Sequence, residues 1–256
     1  MSRYRSLVVI CLAVIAAGCG PRSAEVDPAL ARLVPSDTLA LVDVKADALR
    51  ATPLYRKYVS DRLESMKVTD DVSEALAVSN GKDVVVFTKG KSGIAQYDRQ
   101  GNRTAPTARA GSGVPPALRE KLRSIAPRNQ IFGAGIGGSL PMPDALPSQG
   151  NLANLQNLLK ALESWTLAAD LRSGLKLETE AVYKTEQDAK QIHDALRGLL
   201  GIARLSTPAD APELLRVYDV VKISVQKSTV TVSADVPAEA LEKAVERVQR
   251  APRAGR

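Results

Sequence analysis

TLAADLRSGLKLETEAVY, residues 166–183, is the stretch whose pattern decides the fold. Leu167, Ala169 and Leu171 alternate with Thr166, Asp170 and Arg172. After Ser173-Gly174, Leu175, Leu177, Thr179, Ala181 and Tyr183 alternate with Lys176, Glu178 and Glu180. A period of two is that of a half-buried strand, and a serine-glycine pair between two such runs makes an antiparallel hairpin with one wet face. Working outward, Thr185 and Asp188 fit a capping box with aspartate in place of glutamate. They open a helix over 186–204 whose apolar stripe is Ala189, Ile192, Leu196, Leu199, Leu200 and Ala203. Pro208 and Pro212 end it. A second hairpin follows, with Val221, Ile223 and Val225 facing Val230, Val232 and Ala234, and then a helix on Leu241, Val245 and Val248. Upstream, Leu152, Leu155, Leu158, Leu159 and Leu162 stand at helical spacing over 151–164. Hairpins interleaved with helices predict an α+β fold, mainly antiparallel sheet with helices packed on one face.

The first half is patterned less clearly. Strands are expected over 38–44, 83–88, 94–98 and 130–136, and helices from Pro28, over 47–66, over 70–77 and over 115–125. Residues 28–44 and 116–136 both run helix, proline, turn, strand, a self-similarity that suggests two related small units. The organisation read from this is a signal at 1–18, a tether at 19–27 and an α+β unit at 28–138 containing a mobile or contact loop at 99–114. A proline-rich linker at 139–150, a second α+β domain at 151–250 and a basic tail at 251–256 complete it.

Composition removes much chemistry. The chain has two cysteines, Cys11 and Cys19, and one histidine, His193. That leaves no basis for a disulfide framework, a cysteine or two-histidine metal site, or a Cys-His pair, and no cofactor is expected. The net charge of +7 becomes +5 without Arg3 and Arg5, and only two Phe and one Trp accompany it. Nucleic acid is therefore not an expected partner, because basic patches lack interleaved aromatic platforms.

The N-terminus, MSRYRSLVVICLAVIAAGC, has two arginines, an apolar run from Leu7 to Ala17 and small residues before Cys19. That is the build of a secretory signal, and the apolar run is shorter than the ~20 residues a spanning helix needs. Ala16-Ala17-Gly18-Cys19 resembles the lipobox of bacterial prolipoproteins, with alanine at the third place before the cysteine where leucine is commonest. The resemblance implies cleavage before Cys19, acylation of Cys19 and residence in the cell envelope facing the periplasm. Gly20 in the next position leans towards the outer membrane. The segments TPLYRKYV and TEQDAKQIHDALRGLLG look like uncharacterised bacterial envelope proteins with α+β units.

Three motifs bear on catalysis. Gly133-Ala-Gly-Ile-Gly-Gly138 satisfies G-x-G-x-x-G, but a dinucleotide loop must open a helix, and here Ser139-Leu-Pro-Met-Pro143 follows. Ser173 to Lys176 and Ser224 to Lys227 match S-x-x-K, yet both lie in hairpins, where residues three apart point to opposite faces. Glu178 and Glu180 share one strand face about 7 Å apart, a separation a carboxylate pair could use, without aromatic sugar platforms beside them. The expected function is therefore a membrane-anchored, non-catalytic binding or scaffolding module with another envelope protein as partner. The candidate contact residues are Arg99, Arg103, Arg109, Lys176, Glu178 and Glu180; the alternative is a hydrolase acting on an envelope polymer through acidic residues.

Overall fold

The computed structural model describes residues 23–58, 71–104, 113–137 and 160–250. Ten strands form one antiparallel sheet: β1 (Ala40–Val44), β2 (Val72–Ser79), β3 (Val84–Gly90), β4 (Gly93–Tyr97), β5 (Arg103–Thr104), β6 (Ile131–Ile136), β7 (Leu162–Asp170), β8 (Gly174–Tyr183), β9 (Val221–Gln226) and β10 (Thr229–Pro237). Their order is β5-β4-β3-β2-β1-β6-β7-β8-β10-β9. Among the described residues, seven helices accompany it: α1 (Pro28–Ala31), α2 (Ala46–Arg50), α3 (Pro53–Tyr58), α4 (Pro116–Leu122), α5 (Glu186–Leu205), α6 (Pro212–Asp219) and α7 (Ala238–Arg250). The fold class is α+β.

The two halves read from the sequence share this sheet, since β6 pairs with β7 from Ile131 opposite Ala169 to Ile136 opposite Ser164. Helices α1 and α4 of the first half and α5 of the second lie on opposite faces of the sheet, while α3 reaches α7 through Lys57 and Glu242, 2.6 Å apart. Leu41 packs with Leu30, Val34, Leu118, Leu122 and Phe132 in one core, whereas its neighbour Ala40 packs with Trp165, Tyr183, Ala189 and Ile192 in another. Adjacent residues of a strand point to opposite faces, so α1 and α4 cover one side of the N-terminal half and α5 covers the other side of the C-terminal half. Phe132, Leu30, Leu41, Leu76 and Leu118 are among the most completely buried side chains, each stabilising the fold by roughly 1.5–3 kcal/mol on burial.

Local signals in the sequence account for several of these elements. Pro28, Pro116 and Pro212 stand at the first turn of their helices, where no amide hydrogen is needed. Gly174 has a φ of +125°, and a Cβ there would lie 2.2 Å from the Val236 carbonyl oxygen, so the hairpin of residues 166–183 requires glycine at its turn. Thr185 caps α5, its Oγ1 accepting from the Asp188 amide at 3.0 Å while its hydroxyl donates to Asp188 Oδ2 at 2.7 Å. Thr185→Ala is expected to cost about 1 kcal/mol, measured as a lower urea midpoint at unchanged m-value.

Five sequence expectations are corrected. Residues 72–79 form strand β2 where 70–77 suggested a helix, because pairing with β1 on one side and β3 on the other overrides the helix propensity of Glu74, Ala75 and Ala77. Leu162 opens β7 rather than ending a helix, and residues 151–159 lie outside the described residues. Helix α6 occupies 212–219, where only a break was read. The apolar stripe of α5 is buried at Ala189 and Ile192, but Leu199 is 45% exposed, so its C-terminal half is not covered as the stripe suggested. The helix expected over 47–66 is interrupted at 51–52 and described only to Tyr58.

Candidate functional site

Where the helical cover changes sides, the sheet leaves an apolar cavity of about 430 Å3. It lies on the α5 side, beyond the reach of that helix. Ala40 and Val42 of β1, Ala77 and Ser79 of β2, and Val84 of β3 line one wall; Trp165 and Leu167 of β7 and Ala181 and Tyr183 of β8 line the other. Strand β6 runs between β1 and β7 and directs Gly133 and Gly135 to this side. A Cβ on Gly135 would fall 2.2 Å from Trp165 Nε1, and one on Gly133 would fall 2.7 Å from the Leu41 carbonyl oxygen. The first two glycines of the G-x-G-x-x-G pattern are therefore packing residues inside a strand, which let the Trp165 indole lie flat across the sheet.

Trp165 is the single tryptophan of the chain and is 9% exposed, and its Nε1 has no hydrogen-bond partner. A buried donor without an acceptor is unfavourable by roughly 1–3 kcal/mol. Tyr183 closes the neighbouring end, where burial pushes its hydroxyl up to about 12 and keeps it protonated. The described lining thus offers mainly hydrocarbon, a few hydroxyls and one unpaired N–H, and Glu180 of β8, which alternates with Ala181 and projects to the opposite face, also borders it. Such a surface favours binding an apolar molecule and supplies no nucleophile–base pair for turning one over.

A second cluster occupies the opposite face. Asp43 is fully buried, neither of its carboxylate oxygens has a hydrogen-bond partner, and Lys45 Nζ stands 3.5 Å from Oδ1. Burial, reinforced by the Glu74 carboxylate beside it, pushes Asp43 up to about 8. Lys45 reaches Glu74 Oε2 at 2.8 Å and the Glu25 carbonyl at 2.8 Å, and Glu74 Oε1 accepts from the Asp27 amide at 2.7 Å. This network fastens residues 25–27 onto the sheet, and nothing in its geometry opens it to a substrate.

The contact residues expected from sequence are not brought together. Lys176, Glu178 and Glu180 project from β8 onto the uncovered face, with Lys176 3.6 Å from Asp235 of β10. Glu180 stands between Thr166 and Thr231, and Glu178 between Ala168 and Ser233. Arg103 belongs to β5 at the far edge of the sheet and Arg99 to the turn before it, seven strand spacings or roughly 34 Å from β8. Arg109, Cys19 and Gly138 lie outside the described residues. His193 Nδ1 stands 2.9 Å from Asp194 Oδ1 on α5. Among the described residues, no group of three or more His, Cys, Asp or Glu side chains is placed to hold a metal ion, and no helix is long and apolar enough to cross a membrane.

Sequence reasoning missed the cavity because its walls come from five strands separated by more than a hundred residues. The one available signal was the pair of glycines in a strand whose neighbour carries the only tryptophan. No protein-family model matches the chain, and no curated protein matches it. Among solved structures the chain is similar to one titled "Structure of crystal form I of TP0453", at 12% identity and a TM-score of 0.38, over 88% of this chain and 98% of that one.

Proposed function

We propose that the protein is a membrane-anchored lipoprotein of the bacterial cell envelope that acts as a non-catalytic binding module, with the cavity beside Trp165 as its binding site. The observation that carries the binding reading is the cavity itself. It is apolar, sheet-walled and within the ~300–1,000 Å3 of small-molecule sites, while among the described carboxylates Asp170 and Glu213 are ion-paired with arginines and Glu74 is held in the Asp43 network. The anchor rests on Ala16-Ala17-Gly18-Cys19 and the charged, apolar and small-residue segments of the leader. Acylation at Cys19 would hold the module at a periplasm-facing membrane surface, each buried methylene contributing about 0.8 kcal/mol.

The test of the anchor is metabolic labelling with an alkyne fatty acid in a bacterial host expressing the full chain or its Cys19→Ala variant. Label is expected in the membrane fraction for the first and at background for the second. Equal labelling of both would remove the lipoprotein reading, and turnover of an envelope polymer that disappears in Glu178→Gln would replace the binding module with a hydrolase.

A further inference from the structure

Resting on that reading of the cavity as a binding site, we propose that its ligand is one hydrocarbon chain of a lipid, with the indole N–H of Trp165 donating to the carbonyl oxygen at the head of the chain. Three observations lead there. The volume of about 430 Å3 is small, and a peptide helix, ~10–12 Å across with its side chains, does not enter it. An extended peptide is excluded by hydrogen bonding. Strand β1 is already paired with β2 and β6, and β7 with β6 and β8, so the walls present no free sheet edge, and the peptide's amides and carbonyls would be buried unpaired. A hydrocarbon chain brings no such groups. Its one polar end would supply an acceptor to Trp165 Nε1, the buried donor without a partner among the described residues lining the cavity. Free fatty acids and ester-linked lipid chains share the carbonyl, so the chemistry recognised is a long-chain acyl group.

Trp165 is the only tryptophan of the chain and therefore its own reporter. The full chain carrying Cys19→Ala, which bears no acyl group of its own at that residue, is titrated with 9,10-dibromostearate below its micellar concentration while tryptophan emission is followed. Saturable quenching at one equivalent, reversed by excess palmitate, is the expected result. The methyl ester is expected to quench as the acid does if esterified chains are accepted, and the acid alone if only free fatty acids are. In either case dibromooctadecane, which lacks the carbonyl, is expected to bind at least threefold more weakly. Ala77→Phe and Val84→Phe, which fill the wall opposite Trp165, are each expected to abolish quenching, judged on whichever variant retains the parent's circular dichroism and thermal midpoint. The proposal is overturned by absence of quenching, by quenching that persists in such a folded variant, or by equal quenching from the hydrocarbon. Any of these leaves the Cys19 labelling result untouched, so failure of the ligand and failure of the anchor are told apart.

Discussion

Gly135→Ala is expected to destabilise the protein by about 1–3 kcal/mol and to shift Trp165 emission to the red. The new methyl group would occupy a point 2.2 Å from Nε1 and 2.5 Å from Cε2 of the indole, well inside van der Waals contact. The strand cannot yield, because β6 is held by β1 on one side and β7 on the other. The indole must therefore lift from the sheet, which exposes apolar surface and collapses one wall of the cavity. In a double-mutant cycle with Trp165→Phe, whose smaller ring leaves room for the methyl, the two costs are expected to fall short of additivity by at least 0.5 kcal/mol. Urea unfolding of the four proteins measures this. Additive costs would mean that the close approach of Gly135 and Trp165 does not constrain the native state.

The second large effect is on pH. Asp43 is held near 8 in the folded protein and titrates near 3.8 when unfolded. A carboxyl whose folded value is raised binds a proton in the native state that the unfolded chain has already lost, so its contribution is complete below pH 3.8 and is lost as the pH rises to about 8. Stability at Asp43 is thus expected to decline between pH 5 and pH 8. Asp43→Asn keeps the shape without the charge and removes this slope. The stability of the variant relative to the parent is expected to improve by on the order of 2 kcal/mol across that interval, read from denaturant melts at each pH. Identical pH profiles would show that Asp43 is ionised in the fold. Asp170 works in the opposite sense. The Arg172 guanidinium, 2.6 Å away, holds it down at about 2, so its contribution is present above pH 3.8 and lost as the pH falls towards 2.

Asp43 and Gly135 also mark the limit of what the linear chain reveals. In the sequence Asp43 sits among TLALVDV as an unremarkable interruption of a strand, and only the convergence of β2 and residues 25–27 on it creates a buried carboxyl pair. Gly135 reads as part of a nucleotide-loop pattern until Trp165, thirty residues on, is paired opposite it. The hairpin of residues 166–183, the Thr185 cap and the β9–β10 hairpin are legible because their causes are local. Alternation, a turn glycine and a threonine hydroxyl act within a few residues of themselves.

By itself the sequence determined the α+β class, the hairpins of the C-terminal half, the proline-started helices and the lipobox-like ending at Cys19, since each depends on short-range periodicity or on a motif read along the chain. The tertiary structure decided that both halves share one sheet, that α1 and α4 lie on the face opposite α5, that residues 72–79 are a strand, and that an apolar cavity opens where the cover changes sides. These are outcomes of pairing between distant segments. Strand pairing and burial at long range outweigh propensities worth only tenths of a kcal/mol per residue, and no local pattern records which face of a shared sheet a helix will choose.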